Sequence, residues 1–232
     1  LIVFISIPAF HLAKTYLHED NVKTKIPKGF TNDASGLSLT KVDSIIDVPN
    51  SKEEIINQLK EILEYSKKSK TPISIAGAKH TMGGHTMYPK GIVLNMRPYK
   101  EMQIDTIDNI LTIGSGALWE DAINYLDKYH KSIAVMQAFS SFSIGGSLSV
   151  NGHGWQKDSP PISSSIISFT LMNYNGEILN CSRSENKELF SLVIGGYGLL
   201  GIILDVKIKV VENESLRFKY LRLSPENYVK DY

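Results

Sequence analysis

The sequence predicts a domain of the α+β class, with mixed sheets flanked by helices. Short apolar segments typical of strands recur along the chain, and segments with helical spacing of apolar residues separate some of them. The pair Asn175-Gly176 lies between two apolar runs, which is a strong signal for a hairpin. Adjacent strands are therefore expected to run antiparallel in that part of the chain.

Length and composition limit the possible functions. With 232 residues, 42% of them hydrophobic, the chain can form one sizeable domain or two small ones. The formal net charge is +1 and the basic residues are scattered, so we expect no nucleic-acid partner. Cys181 is the single cysteine, which excludes an internal disulfide, and we expect it to be buried in a strand.

The first forty residues differ in composition from the rest. Residues 1–20 begin with an apolar run, which predicts either the end of a membrane anchor or signal segment or a buried first strand. An anchor or signal would attach the protein to a membrane or export it, and otherwise a cytoplasmic location is expected. Residues 21–40 are polar with Pro, Gly and Asn, which is typical of a linker or extended arm. The folded domain is expected to begin at Lys41.

The first half of that domain is predicted to contain two helices with strands around them. Ser51 precedes acidic residues and an apolar pattern of helical spacing, so we expect a helix over 51–67. A second amphipathic pattern predicts a helix over 118–129. Apolar runs predict strands at residues 42–48, 72–76, 91–96, 102–105 and 110–114.

The second half begins with an unusual loop. Residues 136–154 are rich in Ser, Gly and Phe and carry almost no charge, which is typical of backbone packed against a ligand. Trp119 and Trp155 are expected to be packing residues. Apolar runs and turn residues predict strands at 166–173, 177–181 and 201–211 and a helix at 186–194.

Three stretches of small residues carry the chemical signal, at residues 74–85, 143–154 and 195–201. Glycines there permit tight turns, and consecutive backbone N–H groups can form a binding site for an anion. Neither the glycine spacing of a dinucleotide fingerprint nor a P-loop is present. From loop composition alone, an ordinary structural role for these glycines stays open.

Taken together and in this order, the stretches resemble the vanillyl-alcohol oxidase or p-cresol methylhydroxylase (PCMH) type of FAD-binding domain. The resemblance covers residues 41–212, and Ala78-Lys79-His80-Thr81 is most similar to the alditol oxidase and cytokinin dehydrogenase versions. It implies a two-subdomain FAD-binding domain with FAD as the cofactor. It also implies that residues 213–232 begin a substrate or cap domain that continues outside this chain.

The resemblance also implies which residues bind FAD. In that family, a histidine at the position of His80 commonly carries the 8α bond to the flavin, so His80 is the covalent candidate. Several members hold FAD without a covalent link, so a non-covalent contact between His80 and the flavin stays open. A metal site built from His80, His85 and His153 is disfavoured, because no carboxylate or thiolate lies at ligand spacing. The implied cofactor-binding residues are Ile75, Ala76, Gly77, Ala78, Lys79, His80, Thr81, Gly84, His85, Ser143, Gly145, Gly146, Ser149, His153, Gly201 and Ile203.

The function implied by the resemblance is that of an FAD-dependent oxidoreductase. A hydride would leave a CH–OH carbon of a small-molecule alcohol, alditol or sugar lactone for flavin N5, and oxygen or another acceptor would then reoxidise the flavin. Three alternatives stay open: a non-catalytic or partner-dependent FAD-binding module, an enzyme similar to UDP-N-acetylenolpyruvoylglucosamine reductase, and a protein without a ligand. His80 distinguishes the oxidoreductase interpretation from the reductase alternative, because those reductases lack the covalent histidine.

Overall fold

The computed structural model describes residues 2–18, 26–155, 160–217, 220, 222 and 224–231. The helices are α1 Ile2–His18, α2 Lys52–Ser69, α3 Trp119–Asp127, α4 Ile144–Ser149, α5 Lys187–Val193 and α6 Pro225–Asp231. The strands are β1 Phe30–Thr31, β2 Thr40–Lys41, β3 Ser44–Asp47, β4 Ile73–Ala76, β5 Ile92–Asn95, β6 Met102–Asp105, β7 Ile110–Gly114, β8 Lys131–Ile133, β9 Ile166–Met172, β10 Ile178–Ser182 and β11 Ile202–Glu212. Parallel and antiparallel sheets are both present, which confirms the α+β class.

The smaller subdomain is a parallel sheet in the order β3-β5-β4, and α2 connects β3 to β4. The helix begins after Ser51, which has extended backbone, and ends at Lys70, which adopts the left-handed conformation. Ile55 and Leu59 project from α2 into the core and are fully buried. Burial of this apolar face fixes the helix against the sheet. β4 follows the helix and leads directly into the loop of the first small-residue stretch.

The larger subdomain is an antiparallel sheet in the order β10-β9-β11-β7-β6, with β8 pairing to the far end of β11. The predicted hairpin is confirmed, because β9 and β10 pair across the Asn175-Gly176 turn. One core of this subdomain includes Trp119 of α3, Ile144 of α4 and Val206 of β11. The two subdomains bear out the two-part architecture that the resemblance implies.

The two subdomains share a core. Met172, Ile202 and Leu204 of the larger sheet lie in the same cluster as Ile55 and Leu59 of α2. Neighbouring positions of β11 therefore face different cores. The register of β11 against β9 shifts between Ile203 and Val206. Beyond this shift, the buried apolar residues of β11 all face the larger core.

Within this shared region lies a buried carboxylate. Asp205 of β11 accepts hydrogen bonds from the Tyr99 hydroxyl and from Thr170 Oγ1, and it pairs with the Lys52 ammonium at the start of α2. Burial, followed by the hydrogen bond to Asp205, raises the pKa of Tyr99 far above its ordinary value. The phenol is therefore a permanent donor to the carboxylate, and this cluster joins both subdomains.

Several expectations need correction. Residues 2–18 form a helix whose residues 6–16 are exposed, so the alternative of a buried first strand is wrong. No helix in the described ranges has the length and apolar character needed to span a membrane. Trp155 is exposed, so its assignment as a packing residue is wrong, whereas Trp119 and Cys181 are buried as expected.

The N-terminal boundary of the domain also differs in detail. β1 and β2 pair, so the boundary predicted at Lys41 falls inside a two-stranded sheet. Residues 19–25, which include the start of the predicted linker, lie outside the described residues. The predicted start of a cap domain at residues 213–232 stays a prediction, and part of it also lies outside the described residues.

Candidate functional site

A cleft runs along the junction of the two subdomains. Two cavities of about 240 and 190 Å³ lie side by side and share the wall residues Gly77, Thr81, Thr86, Gly146 and Val150. Because they share these walls, the cavities form one elongated cleft. The three small-residue stretches predicted from the sequence meet around it, although they are far apart in the chain.

The first wall is the loop that follows β4, over residues 77–86. Ser143 packs directly against its beginning, and Ser143 Oγ accepts a hydrogen bond from the Ala78 N–H at 3.3 Å. A Cβ on Gly77 would lie 2.0 Å from Ser143 Oγ, and a Cβ on Gly146 would lie 2.8 Å from the same atom. Gly77 therefore lacks room for a side chain, and this lets the first stretch touch the second, whereas Gly146 meets only the rotatable Ser143 hydroxyl of its own stretch.

The second wall is α4, which the sequence predicted as part of a loop. The Ile144 N–H donates to Ala117 O and the Gly145 N–H donates to Ser115 O, both at 2.8 Å. These bonds attach the start of the helix to the turn before α3. The apolar side chain of Ile144 points into the larger core, so the small residues of α4 are left on the side of the cleft.

The third wall is the glycine-rich turn between α5 and β11. The Gly195 N–H donates to Leu148 O, and the Tyr197 N–H donates to Ser149 O at 2.9 Å. The Tyr197 ring faces the His85 ring with the centroids 5.3 Å apart. This contact joins the first and third walls across the cleft.

Several residues that line this cleft carry buried polar atoms without partners. Thr81 Oγ1, Thr86 Oγ1, Ser115 Oγ and Gln137 Oε1 have no hydrogen-bond partner within the described chain, and all four residues line the cavities. Leaving a buried polar group unpaired costs about 1–3 kcal/mol. Such a group is expected to be satisfied by a polar ligand in the cleft.

Backbone donors add to this polar wall. The N–H groups of residues 79–83 donate no hydrogen bond to any group in the described part of the chain. Consecutive free N–H groups in a loop make an anion-binding concavity. Lys79, His80 and Thr81 of this run line the cavities, so the cleft offers both hydroxyl groups and backbone donors to a ligand that carries phosphate.

Lys79 adds positive charge at this wall. Its Nζ donates to Thr31 Oγ1 at 2.8 Å, and its backbone has a φ of +57°. Burial lowers the pKa of Lys79, while the nearby charge of Asp47 opposes the shift. The loop therefore places a partly desolvated cation beside the free N–H groups.

His80 lies at the end of the second cavity. Its ring packs edge-on against Phe142, with the centroids 4.4 Å apart, and the side chain is exposed to the cleft entrance. Gln137 lines the same cavity, and its unpartnered Oε1 is buried there. An accessible imidazole beside an apolar ring and a buried amide suits contact with a flat heteroaromatic ligand.

Most of the predicted site residues lie on the cleft. Ala76 is instead buried in β4, the Gly84 N–H binds Asp33, and His153 is exposed with its Nδ1 3.1 Å from Gly154 O. These three residues do not line the cavities. Those that do are Ile75, Gly77, Ala78, Lys79, His80, Thr81, His85, Ser143, Gly145, Gly146, Ser149, Gly201 and Ile203.

The structure also adds residues that were not among the implied cofactor-binding residues. The main additions are Ser74, Thr86, Tyr88, Ser115, Gln137, Phe142 and Leu199. Ser115 had a usable signal, because it stands between two glycines in a run of small residues. Across the part of the chain that the structure describes, no group of His, Cys, Asp or Glu side chains is arranged to hold a metal ion.

Comparison with known proteins agrees with this geometry. A family described as FAD binding domain matches residues 44–182, which include β3 to β10 and the first two walls of the cleft. The chain belongs to this family of FAD-binding proteins. Its cofactor is FAD, and the cleft offers the kinds of polar group that such a ligand needs, namely backbone donors, unpaired hydroxyls and a lysine. The alternative of a protein without a ligand is thereby corrected.

Curated relatives include oxidoreductases of the PCMH type. The chain is 28% identical over 165 residues to cytokinin dehydrogenase 2 of Arabidopsis thaliana, covering 70% of this chain and 33% of the relative. It is 26% identical over 164 residues to L-gulonolactone oxidase of Bos taurus, covering 70% and 36%. An uncharacterized oxidoreductase of Rhodococcoides fascians is 26% identical over 171 residues, with 73% and 39% covered. The chain spans about a third of the length of these relatives.

Proposed function

We propose that this chain is the FAD-binding part of an oxidoreductase that oxidises a CH–OH group of a small molecule. The cleft carries this proposal, because three segments of small residues converge on it and unpaired polar atoms face it. The family match supplies the cofactor, and relatives named as dehydrogenases and oxidases supply the reaction class. When bound, FAD supplies the acceptor for a hydride, and the protein holds and orients it.

The proposed orientation of FAD follows from the chemistry of the walls. The free N–H groups of residues 79–81 and the Lys79 ammonium would hold the diphosphate. The larger cavity has apolar walls that include Ile75, Leu199 and Ile203, which suit the adenine. The flavin ring would then lie at the other end, beside His80 and Phe142.

His80 is proposed to carry the covalent bond to the flavin. Its ring is accessible, because only Phe142 packs against it among the aromatic contacts in the described structure. His153 offers a matched control, since it is also exposed but does not line the cleft. A bond from His80 would fix the flavin end of the cofactor while the loop donors fix the diphosphate.

The test is an absorbance spectrum before and after acid precipitation of the wild-type chain, His80→Ala and His153→Ala. We expect yellow pellets from the wild type and His153→Ala, and release of the flavin into the supernatant from His80→Ala. Release from all three proteins would contradict the covalent bond. A colourless chain that takes up no added FAD would contradict the proposed function as a whole.

The substrate class is tested with the full-length protein after it has bound flavin. Anaerobic mixing with an alditol or a sugar lactone is expected to bleach the flavin absorbance, and mixing with a cytokinin is expected to leave it unchanged. Bleaching by cytokinin alone would contradict the CH–OH assignment. Loaded flavin that no candidate donor reduces would favour a non-catalytic module.

A further inference from the structure

An N-terminal segment outside the family match contacts the loop that carries His80. This segment, called the arm, comprises residues 30–41, with β1 and β2 at its two ends. We propose that the arm positions the His80 loop for FAD, with Thr31 and Asp33 as positioning residues. The proposal rests on FAD binding and goes beyond the family's own segment, because the match begins at residue 44.

Three hydrogen bonds join the arm to the two ends of the loop. At the beginning of the loop, the Ala34 N–H donates to Lys79 O at 3.0 Å, and Lys79 Nζ donates to Thr31 Oγ1 at 2.8 Å. At the far end, the Gly84 N–H donates to Asp33 Oδ2 at 2.8 Å. His80 and the free N–H groups lie between these two attachment points.

The attachment points are residues with unusual backbone. Lys79 has a φ of +57° and Gly84 has a φ of +70°, so both lie in the left-handed region. The left-handed conformation is sterically unfavourable for a lysine, so surrounding contacts must hold the Lys79 backbone in place. The arm bonds both residues, so it fixes the direction of the chain on each side of His80.

Burial of the arm's polar residues agrees with this role. Thr31 is 1% exposed and Asp33 is 9% exposed, although most neighbouring arm residues lie at the surface. Burial opposes ionisation of Asp33, but the hydrogen bonds from Ser35 and from the Gly84 N–H outweigh it and hold the pKa below its ordinary value. The carboxylate is thus a charged acceptor held against the loop.

The arm is itself stiffened from within. Asn32 Oδ1 accepts the N–H groups of Asp33 and Ser38, and Asp33 Oδ1 accepts the Ser35 N–H. A rigid arm can restrain the loop before the cofactor arrives. Loss of that restraint is expected to weaken FAD binding, because the loop would then lose conformational entropy during the binding step itself.

The test measures the FAD dissociation constant by flavin fluorescence in a His80→Ala background, where no covalent bond forms. We expect Thr31→Val and Asp33→Ala each to bind FAD about tenfold more weakly. Asp33→Asn keeps one acceptor oxygen for the Gly84 N–H and gives up the acceptor for the Ser35 N–H, so it is expected to restore affinity to within about threefold of the parent. This rescue separates positioning from a general loss of packing.

Thr40→Val is the matched control. Thr40 is the cross-strand partner of Thr31, and its hydroxyl donates only within the arm, to Ser38 O. It is expected to bind FAD within twofold of the parent, and Thr31→Val carries the test if Asp33→Ala unfolds. Equal affinities for the parent, Thr31→Val and Asp33→Ala would overturn the role of the arm alone. A parent that binds no FAD would overturn the proposed function together with it.

Discussion

Ser143 is the residue on which the contact between the first two walls depends. Its Oγ lies close to the backbone of Gly77 and Gly146 and accepts the Ala78 N–H. A single hydroxyl therefore fills the space that a side chain at either glycine would need. The two glycines and the serine work as one packing unit, although more than sixty residues separate Gly77 from the other two in the chain.

This packing predicts the outcome of Gly77→Ala. The added methyl group would overlap Ser143 Oγ, so the loops must separate and the variant is expected to lose most of its bound FAD. Gly77→Ala/Ser143→Gly removes the overlapping atoms and is expected to recover part of the flavin. Flavin content per protein, measured for both single variants and the double variant, gives the coupling between the positions. Additive losses would contradict direct contact.

At the scale of the element, α4 shows what tertiary contacts can impose on a short segment. It contains two glycines and two serines, which are poor helix formers, and the composition therefore predicted a loop. The helix is held by the burial of Ile144 and Leu148 in the larger core. It is also held by Ser147 Oγ, which accepts the Trp119 Nε1–H at 2.9 Å.

Substitution of Ser147 tests this account of α4. Ser147→Ala leaves the buried Trp119 N–H without its acceptor, and we expect the free energy of unfolding to fall by about 1–3 kcal/mol. Ser191→Ala is the matched control, because Ser191 is exposed on α5 and its side chain bonds only Lys187 O within the described part of the chain. Its effect is expected to stay within about 0.5 kcal/mol. Urea unfolding followed by tryptophan fluorescence measures both, and equal effects would contradict the role of the bond.

Elements with strong periodicity were predictable from the sequence, and those that depend on distant partners were not. Each predicted strand and helix beyond Lys41 is present with ends within two residues of the observed ones. β8 has three residues and pairs with the end of β11, and β1 and β2 have two residues each, so no local pattern marks them. Likewise, the three glycine stretches and the loop over 136–154 were recognisable, whereas Thr86, Tyr88 and Ser115 line the cleft without a local signal as strong.

At the scale of the whole molecule, β11 holds the two subdomains together. Val206 faces the larger core, Leu204 faces the core shared with α2, and Asp205 binds groups from both sides. Tyr99 and Asp205 are both buried, whereas the Lys52 side chain is about half exposed. The carboxylate is therefore expected to matter more for stability than the ammonium that pairs with it.

This difference predicts unequal effects for the two partners. Asp205→Ala leaves the Tyr99 hydroxyl buried without an acceptor, and we expect a loss of about 1–3 kcal/mol in the free energy of unfolding. Lys52→Met removes a partly solvated ion pair and is expected to cost about 0–1 kcal/mol. Chemical unfolding monitored by circular dichroism compares the two variants. A larger loss for Lys52→Met than for Asp205→Ala would contradict the central role of the carboxylate.

The position of the cleft couples cofactor supply to the integrity of the protein. Its walls come from both sheets, so a molecule bound there stabilises only the state in which the two halves are docked. By mass action, such a ligand at a hundredfold excess over its dissociation constant adds about 2.7 kcal/mol to the folded state. A larger supply of flavin would then lengthen the time that newly made chains survive before proteolysis, even in the absence of catalytic turnover.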